Sequence, residues 1–270
     1  MSWFLNTIKR TLTGSGSAEP DTYSLPQDYD FIHESDCVNC ENPCEEHKQF
    51  PSYLKIDREE TMEGTVKPYF KQLLISTGKH DWAERIEEVE GSLPAELTKR
   101  IANRKGPRVI ITNTNRKVPE GLKEGDHEII ILPDNKLVRN VNIENLDCFL
   151  DTYIYSEEQH MEEFEVKQLP KELSFILVCS HKRRDKRCGV TAPILVEEFL
   201  RVVKEKGIEE KVEILMVSHI GGHKFAGNVI IYPVGVWYGR VKSCHAQAIV
   251  EKTLLDEHII QELYRGRLDW

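Results

Sequence analysis

Four residues in the second half of the chain have the types and spacing of a metal site. Cys179 and Cys188 are set as C-x8-C, and His219 and His223 as H-x3-H within Ser218-His219-Ile220-Gly221-Gly222-His223. Two thiolates and two imidazoles are soft and borderline donors, suited to zinc or to an iron-sulfur cluster. Structural zinc knuckles usually begin with a shorter C-x2-4-C pair. A 2Fe-2S core has two irons, so each wide-set pair of ligands can hold one of them. A buried cysteine can also serve as a small hydrophobe. Spacing alone therefore leaves the cluster, zinc and no metal all open. Gly221 and Gly222 argue against a helical H-x3-H and suit a tight loop whose backbone is approached closely.

A second group, Cys37, Cys40 and Cys44, lies in Asp36–His47 with His33 and His47 nearby. C-x2-C is a metal or redox signature. It precedes the first regular strand instead of closing a strand-to-helix turn, which favours a small zinc site or a local cross-link over a dithiol active site. Cys148 and Cys244 read as packing residues. Between Cys179 and Cys188 stand Lys182, Arg183, Arg184, Lys186 and Arg187, a cationic loop able to favour a more negative centre and to attract an acidic partner.

The elements that must position these residues follow from β-branched runs and helical spacing. Strands are predicted at 70–76, 108–112, 127–133 and 136–141, then at 174–179, 212–217, 228–232 and 236–241. Helices are predicted after Ser92-Leu93-Pro94 to about Asn103, over Ile143–Ile154 with Asn140 or Asn142 as cap, from near Pro193 to Lys206, and from Ala246 to Tyr264 after a Ser243 cap. Both halves then read β-α-β-β-β-α, an α/β pseudo-repeat compatible with two tandem thioredoxin-like lobes. Ser76 falls where the second copy has Cys179, and Asn113 roughly where it has His219. The expected division is a flexible tail at 1–30, an N-terminal lobe at 31–165 without cluster ligands, a C-terminal domain at 166–264 holding the site, and a tail at 265–270.

Composition narrows the function classes. The chain has 270 residues, 40% hydrophobic and 30% charged, with a formal charge of -9. A sizeable core is affordable, while broad nucleic-acid binding is disfavoured because phosphate recognition needs a basic surface. No apolar run approaches the roughly 20 residues of a membrane-spanning helix. Seven cysteines without a secretory signal argue for a reducing compartment and against a disulfide scaffold. Cytoplasm is the expected location. The acid-free first eighteen residues, with Lys9 and Arg10, keep a mitochondrial presequence as the alternative. No G-x-G-x-x-G fingerprint occurs, so reducing equivalents are expected from a redox partner protein.

The stretches VCSHKRRDKRCGVTAPIL and HIGGHKFAGNVIIYPVGVWYGRV, with GTVKPYFKQLLISTGKHDW at 64–82, resemble the sucrase/ferredoxin-like family. This family of thioredoxin-like ferredoxins includes the fungal actin-patches-distal and altered-inheritance-of-mitochondria proteins. The resemblance covers most of the chain from about Asp36 to Tyr264. It implies a 2Fe-2S cluster on Cys179, Cys188, His219 and His223, and an electron carrier more than a catalyst. Histidine ligation implies a potential above that of an all-cysteine cluster and reduction coupled to protonation. The family name also suggests glycoside hydrolysis, but no spacing singles out a carboxylate pair for it. The final residues Leu268-Asp269-Trp270 look like the tripeptide by which some clients are recognised by the cytosolic iron-sulfur targeting complex.

Overall fold

The computed structural model of the chain describes residues 30–33, 47–155 and 163–268. Cys37, Cys40, Cys44, Asp269 and Trp270 lie outside them. In chain order the first half contains β1 (Phe31–Ile32), β2 (Lys71–Ser76), α1 (Leu93–Ala102), β3 (Val109–Thr114), β4 (His127–Leu132), β5 (Lys136–Val141), α2 (Leu146–Leu150) and β6 (Glu165–Gln168). The second half contains β7 (Ser174–Cys179), α3 (Lys186–Glu205), β8 (Val212–Val217), β9 (Val229–Tyr232), β10 (Val236–Tyr238), α4 (His245–Ala248), β11 (Ile259–Ile260) and β12 (Tyr264–Arg267).

Ten of these strands form one sheet, ordered β12-β10-β9-β7-β8-β3-β2-β4-β5-β6, while β1 pairs with β11 in a separate ribbon. Within the first half β2 is parallel to β3 and antiparallel to β4. Within the second, β7 is parallel to β8 and antiparallel to β9. The two halves thus repeat one topology, a parallel β-α-β unit flanked by an antiparallel hairpin, which is the thioredoxin-like layer expected from the sequence. Each hairpin turns through a cis X-Pro bond followed by a left-handed residue, Asn135 or Gly235.

The halves join where β3 and β8 meet antiparallel, with Thr114 opposite Val217. The junction is reciprocal. The Asn113 N–H donates to Ser218 Oγ (3.0 Å), and the Met216 N–H donates to Asn115 Oδ1 (2.9 Å). Both strands overlap only near their carboxyl ends, so the strand-end crevices of the two halves lie beside the same seam.

Alternation along the strands sorts the core. Leu73 and Ile75 pack with Leu93 and Leu97 of α1, and Ile176 and Val178 pack with Leu195 and Phe199 of α3. Leu74, Phe175, Leu177 and Cys179 face the opposite side, in a cluster shared by both halves. Burial on both faces explains why KQLLIS and SFILVC are nearly continuous apolar runs and not alternating ones.

Three helical expectations are corrected. α3 starts at Lys186, not Pro193, because Asp185 caps it by accepting from the Arg187 N–H, and Pro193 sits inside the helix. The expected Ile143–Ile154 helix begins at Leu146 and relaxes into a π turn over Asp151–Tyr155. Its N-cap position is Asn145, whose side chain makes no capping bond. The expected helix over 246–264 keeps only its first part: α4 passes into a π turn at Ile249–Leu255, followed by β11 and β12. Ser243 does not cap it, since its hydroxyl donates to Lys48 O (2.7 Å). The stretch read as a tail from 265 begins as β12, paired antiparallel with β10.

Candidate functional site

Cys179 is the last residue of β7, and its backbone N–H donates to Asn228 O (3.0 Å) at the entry to β9. Cys188 lies in the first turn of α3, because the helix starts ahead of the expected Pro193. The turn is held by Asp185, which grips the Arg187 guanidinium through both oxygens (2.9 and 2.8 Å). Gly189 allows the helix start to lie against Lys182, whose backbone a Cβ would strike. Strand end and helix start therefore bring the two thiols into contact, both fully buried.

The Cys188 side chain donates to the Cys179 sulfur, as do the His219 side chain and the Ile220 N–H. The bond from Cys188 is the chief reason why Cys179 is held well below the usual thiol range, against the opposing effect of burial. Cys188 is pushed well above that range by the same neighbour and by its own burial. The pair thus gives up one proton readily, from Cys179, because a second negative charge alongside is costly.

His219 and His223 follow β8 on the glycine loop. Gly221 and Gly222 both adopt positive φ, 91° and 68°. The imidazole centroids stand 5.4 Å apart, tilted by 40°. The His219 N–H donates to His181 Nδ1 (3.2 Å), while His181 Nε2 donates to Ala83 O (2.8 Å), which fixes the His181 tautomer. His223 Nε2 is 3.9 Å from Asp185 Oδ2. Burial, partly opposed by Asp185, holds His223 below the ordinary imidazole value and so in the neutral, ligating form.

The Nδ1 atoms of His219 and His223 are buried and have no hydrogen-bond partner. Stranding a buried polar atom costs roughly 1–3 kcal/mol, and native interiors satisfy nearly all of them. Two such atoms beside two coupled thiols fit a donor set for soft or borderline metal. Among the described residues, no group of three or more His, Cys, Asp or Glu side chains is gathered closely enough to hold a metal ion.

Beneath the glycine loop lies Arg265 of β12, 1% exposed. It donates to Asn228 Oδ1 (2.8 Å) and Thr65 Oγ1 (3.2 Å), and its guanidinium rests near the rings of Phe225 and Trp237. Burial lowers it to about 10, while the two thiols oppose that shift. A Cβ on Gly222 would run into this guanidinium, which identifies what the glycine loop approaches. Sequence reading missed Arg265, since an arginine between Tyr264 and Gly266 near the chain end looks solvated. His181 and Asn228 were missed too, for neither has a recurrent spacing.

The basic residues between the two cysteines are partly paired. Arg183 pairs with Asp81, and Arg184 with Glu87 and the Glu84 carbonyl, where the loop docks on the acidic 81–88 segment, while Arg187 pairs with Asp185 inside the loop. Lys182 and Lys186 remain exposed. His33 and His47 are bonded to Glu262 and Glu198. Leu268 is not in a free tail. It is 4% exposed in the shared core, and its N–H donates to Gly235 O (3.1 Å).

Fold and site together define a tandem thioredoxin-like α/β protein with a Cys/His donor set in its second half. A sucrase/ferredoxin-like family model matches residues 62–266, and the chain belongs to that family. It is similar to Altered inheritance of mitochondria protein 32 of Debaryomyces hansenii, 34% identical across 83% of this chain and 92% of the relative. It is also similar to Actin patches distal protein 1 of Saccharomyces cerevisiae, 27% identical across 94% and 93%. Among solved structures, a thioredoxin-like [2Fe-2S] ferredoxin from Aquifex aeolicus matches at 22% identity, covering 36% of this chain and 93% of that one, with a TM-score of 0.32.

Proposed function

We propose that the chain is an electron-transfer protein whose 2Fe-2S cluster is held by Cys179, Cys188, His219 and His223. The observation that carries this is a pair of buried thiols with His219 against Cys179, together with buried Nδ1 atoms of His219 and His223 that have no partner. Membership of the sucrase/ferredoxin-like family supports it. Donors that stand as a thiol pair and an imidazole pair suit a core with two metal atoms.

When bound, the cluster would supply one-electron redox chemistry. The chain's own residues prepare its seat. Cys179 is ready as thiolate because Cys188, His219 and the Ile220 N–H donate to it. Arg265 places a buried positive charge below the glycine loop and counters the negative thiolates. Asp185 fixes the turn that carries Cys188. Burial keeps His223 neutral at the start of a short 3-10 turn. The hydrogen bond from the His219 N–H to His181 ties the loop to the first half through Ala83.

The purified protein is expected to be red-brown, with equimolar iron and acid-labile sulfide and an EPR signal on reduction. Its potential should lie above that of an all-cysteine cluster. Optical and EPR spectra unchanged in both His219→Cys and Cys179→Ala overturn the assignment. A redox partner protein, a cytoplasmic location and recognition of Leu268-Asp269-Trp270 by the cytosolic iron-sulfur targeting complex belong to the same proposal. Since Leu268 is anchored in the core, Asp269 and Trp270 would carry that recognition. Removing Trp270 is expected to lower iron per chain in cells without changing the circular dichroism spectrum. No helix among the described residues is long and apolar enough to cross a membrane.

A further inference from the structure

The Cys/His site meets solvent at His223, whose side chain is 45% exposed, while Cys179 and Cys188 are fully buried. Two segments close around that imidazole. Asp185 Oδ2 stands 3.9 Å from His223 Nε2 and brings the turn from Lys182 to Lys186 alongside. Arg187 donates to Lys55 O (3.1 Å), and the Asp57 N–H donates to Lys224 O (2.9 Å), so the 55–60 segment borders His223 from the other side. Lys182 is held at the same edge, because its stem lies against Gly189 in the first turn of α3.

The charge on this rim is one-sided. Arg187 and Lys224 are paired with Asp185 and Glu60. Lys55, Arg58, Lys182 and Lys186 are exposed and form no ion pair among the described residues, against one exposed and unpaired acid, Glu59. The flank at His219 has the opposite character, for a cleft there is bordered by Glu84 and Glu87. The whole chain has a formal charge of -9, so the positive rim is a local arrangement and not a result of composition. A negatively charged partner is drawn to this rim and repelled by most of the remaining surface, which orients its approach toward His223.

We infer that this rim is the docking surface for an acidic one-electron donor protein, which delivers its electron across the His223 edge. One electron leaves the reduced partner and enters the oxidised centre, and no bond is made or broken. The electron step rests on the cluster reading given above; the docking surface does not.

The test uses plant-type [2Fe-2S] ferredoxin, an acidic one-electron donor, fluorescently labelled for anisotropy with the full-length protein. Saturable binding is expected, weakened about tenfold as salt rises from ~0.01 to ~0.15 M and the Debye length falls from roughly 30 to 8 Å. Lys55→Glu, Lys182→Glu and Lys186→Glu together should weaken binding at least ~tenfold at the lower salt, since like charges then face each other. Lys105→Glu, Lys123→Glu and Lys167→Glu change the net charge equally at exposed positions of the first half, and should leave binding within about twofold. Stopped-flow electron transfer from the reduced probe should follow the same order. Binding that ignores the rim variant, or that the remote variant weakens as much, overturns the surface. Rim-dependent binding without electron transfer, to a protein that holds iron and sulfide, overturns the role of the His223 edge. A chain lacking iron and sulfide overturns the cluster reading alone, because the anisotropy needs no cluster. Tighter, equally rim-dependent binding of a DNA duplex or of phosphatidylserine vesicles overturns the acidic protein as the partner.

Discussion

At the carboxyl ends of β2 and β3 the first half of the sheet carries Ser76 and Arg116, and at the corresponding ends of β7 and β8 the second half carries Cys179 and His219. The correspondence is set by the ladders, since Ser76 lies opposite Thr114 as Cys179 lies opposite Val217. It moves the counterpart of His219 from Asn113, where the sequence placed it, to Arg116. The neighbouring hairpins match in turn, with Glu128 entering β4 where Asn228 enters β9. In the first half the position is locked by charge: Glu128, fully buried, is bonded to Arg116, Arg139 (2.8 Å) and Ser76 (3.0 Å). In the second half the same backbone presents two thiols, two imidazoles without Nδ1 partners and one buried arginine. The scaffold fixes where a site can be, and a few side chains decide whether it is a closed ion-pair network or an open donor set.

The sharpest way to break this contrast is to exchange the small residues at the strand ends. Cys179→Ala should abolish iron binding, measured as iron and sulfide per purified chain, while Ser76→Ala leaves it unchanged. Equal loss in both would mean that the first half is part of the site. Next in size is the removal of both cations from Glu128. Arg116→Leu combined with Arg139→Leu strands a buried carboxylate and should cost roughly 3 kcal/mol in urea unfolding, the low end for a broken buried pair because both arginines are part-exposed. A cost near zero would show that the two arginines do not hold this network together.

A smaller effect is expected from Arg265→Met. Losing a buried positive charge disfavours the added electron, so the midpoint potential should fall, by roughly 1–2 kcal/mol in free-energy terms at an effective dielectric of about 20. An unchanged or raised potential would assign Arg265 to packing alone. Smallest is His127 at the start of β4. Burial lowers its folded value, so the unfolded chain binds the proton more readily, and stability is lost as pH falls below the ordinary imidazole range. His127→Gln should flatten that acid-side decline in thermal melts, and a decline of equal slope would remove His127 as its source.

Strand identity was legible in the sequence because continuous runs such as SFILVC and HEIIIL have the length and branching of buried strands. The glycine loop was legible as well, since only positive φ and close approach require two glycines between histidines. α3 was misread at its start, because Pro193 mimics a first-turn proline while the true cap, Asp185, is hidden in a run of basic residues. The last helix failed because apolar residues near helical spacing at Ile249, Leu254 and Ile259 also serve a π turn and a short strand.

The sequence by itself determined the donor types, the twofold order of elements and the absence of ligand cysteines from Ser76. Tertiary structure alone decided that Cys188 rides on a helix start, that Arg265 lies buried beneath the loop, and that Arg183 and Arg184 meet the 81–88 segment. The basic loop keeps Lys182 and Lys186 exposed and is docked through Arg183 and Arg184. Such docking depends on contacts between residues far apart in the chain, as does the bond of Arg265 to Asn228. Such pairings leave no period in a sequence, because they are fixed by how two half-sheets meet and not by local propensity.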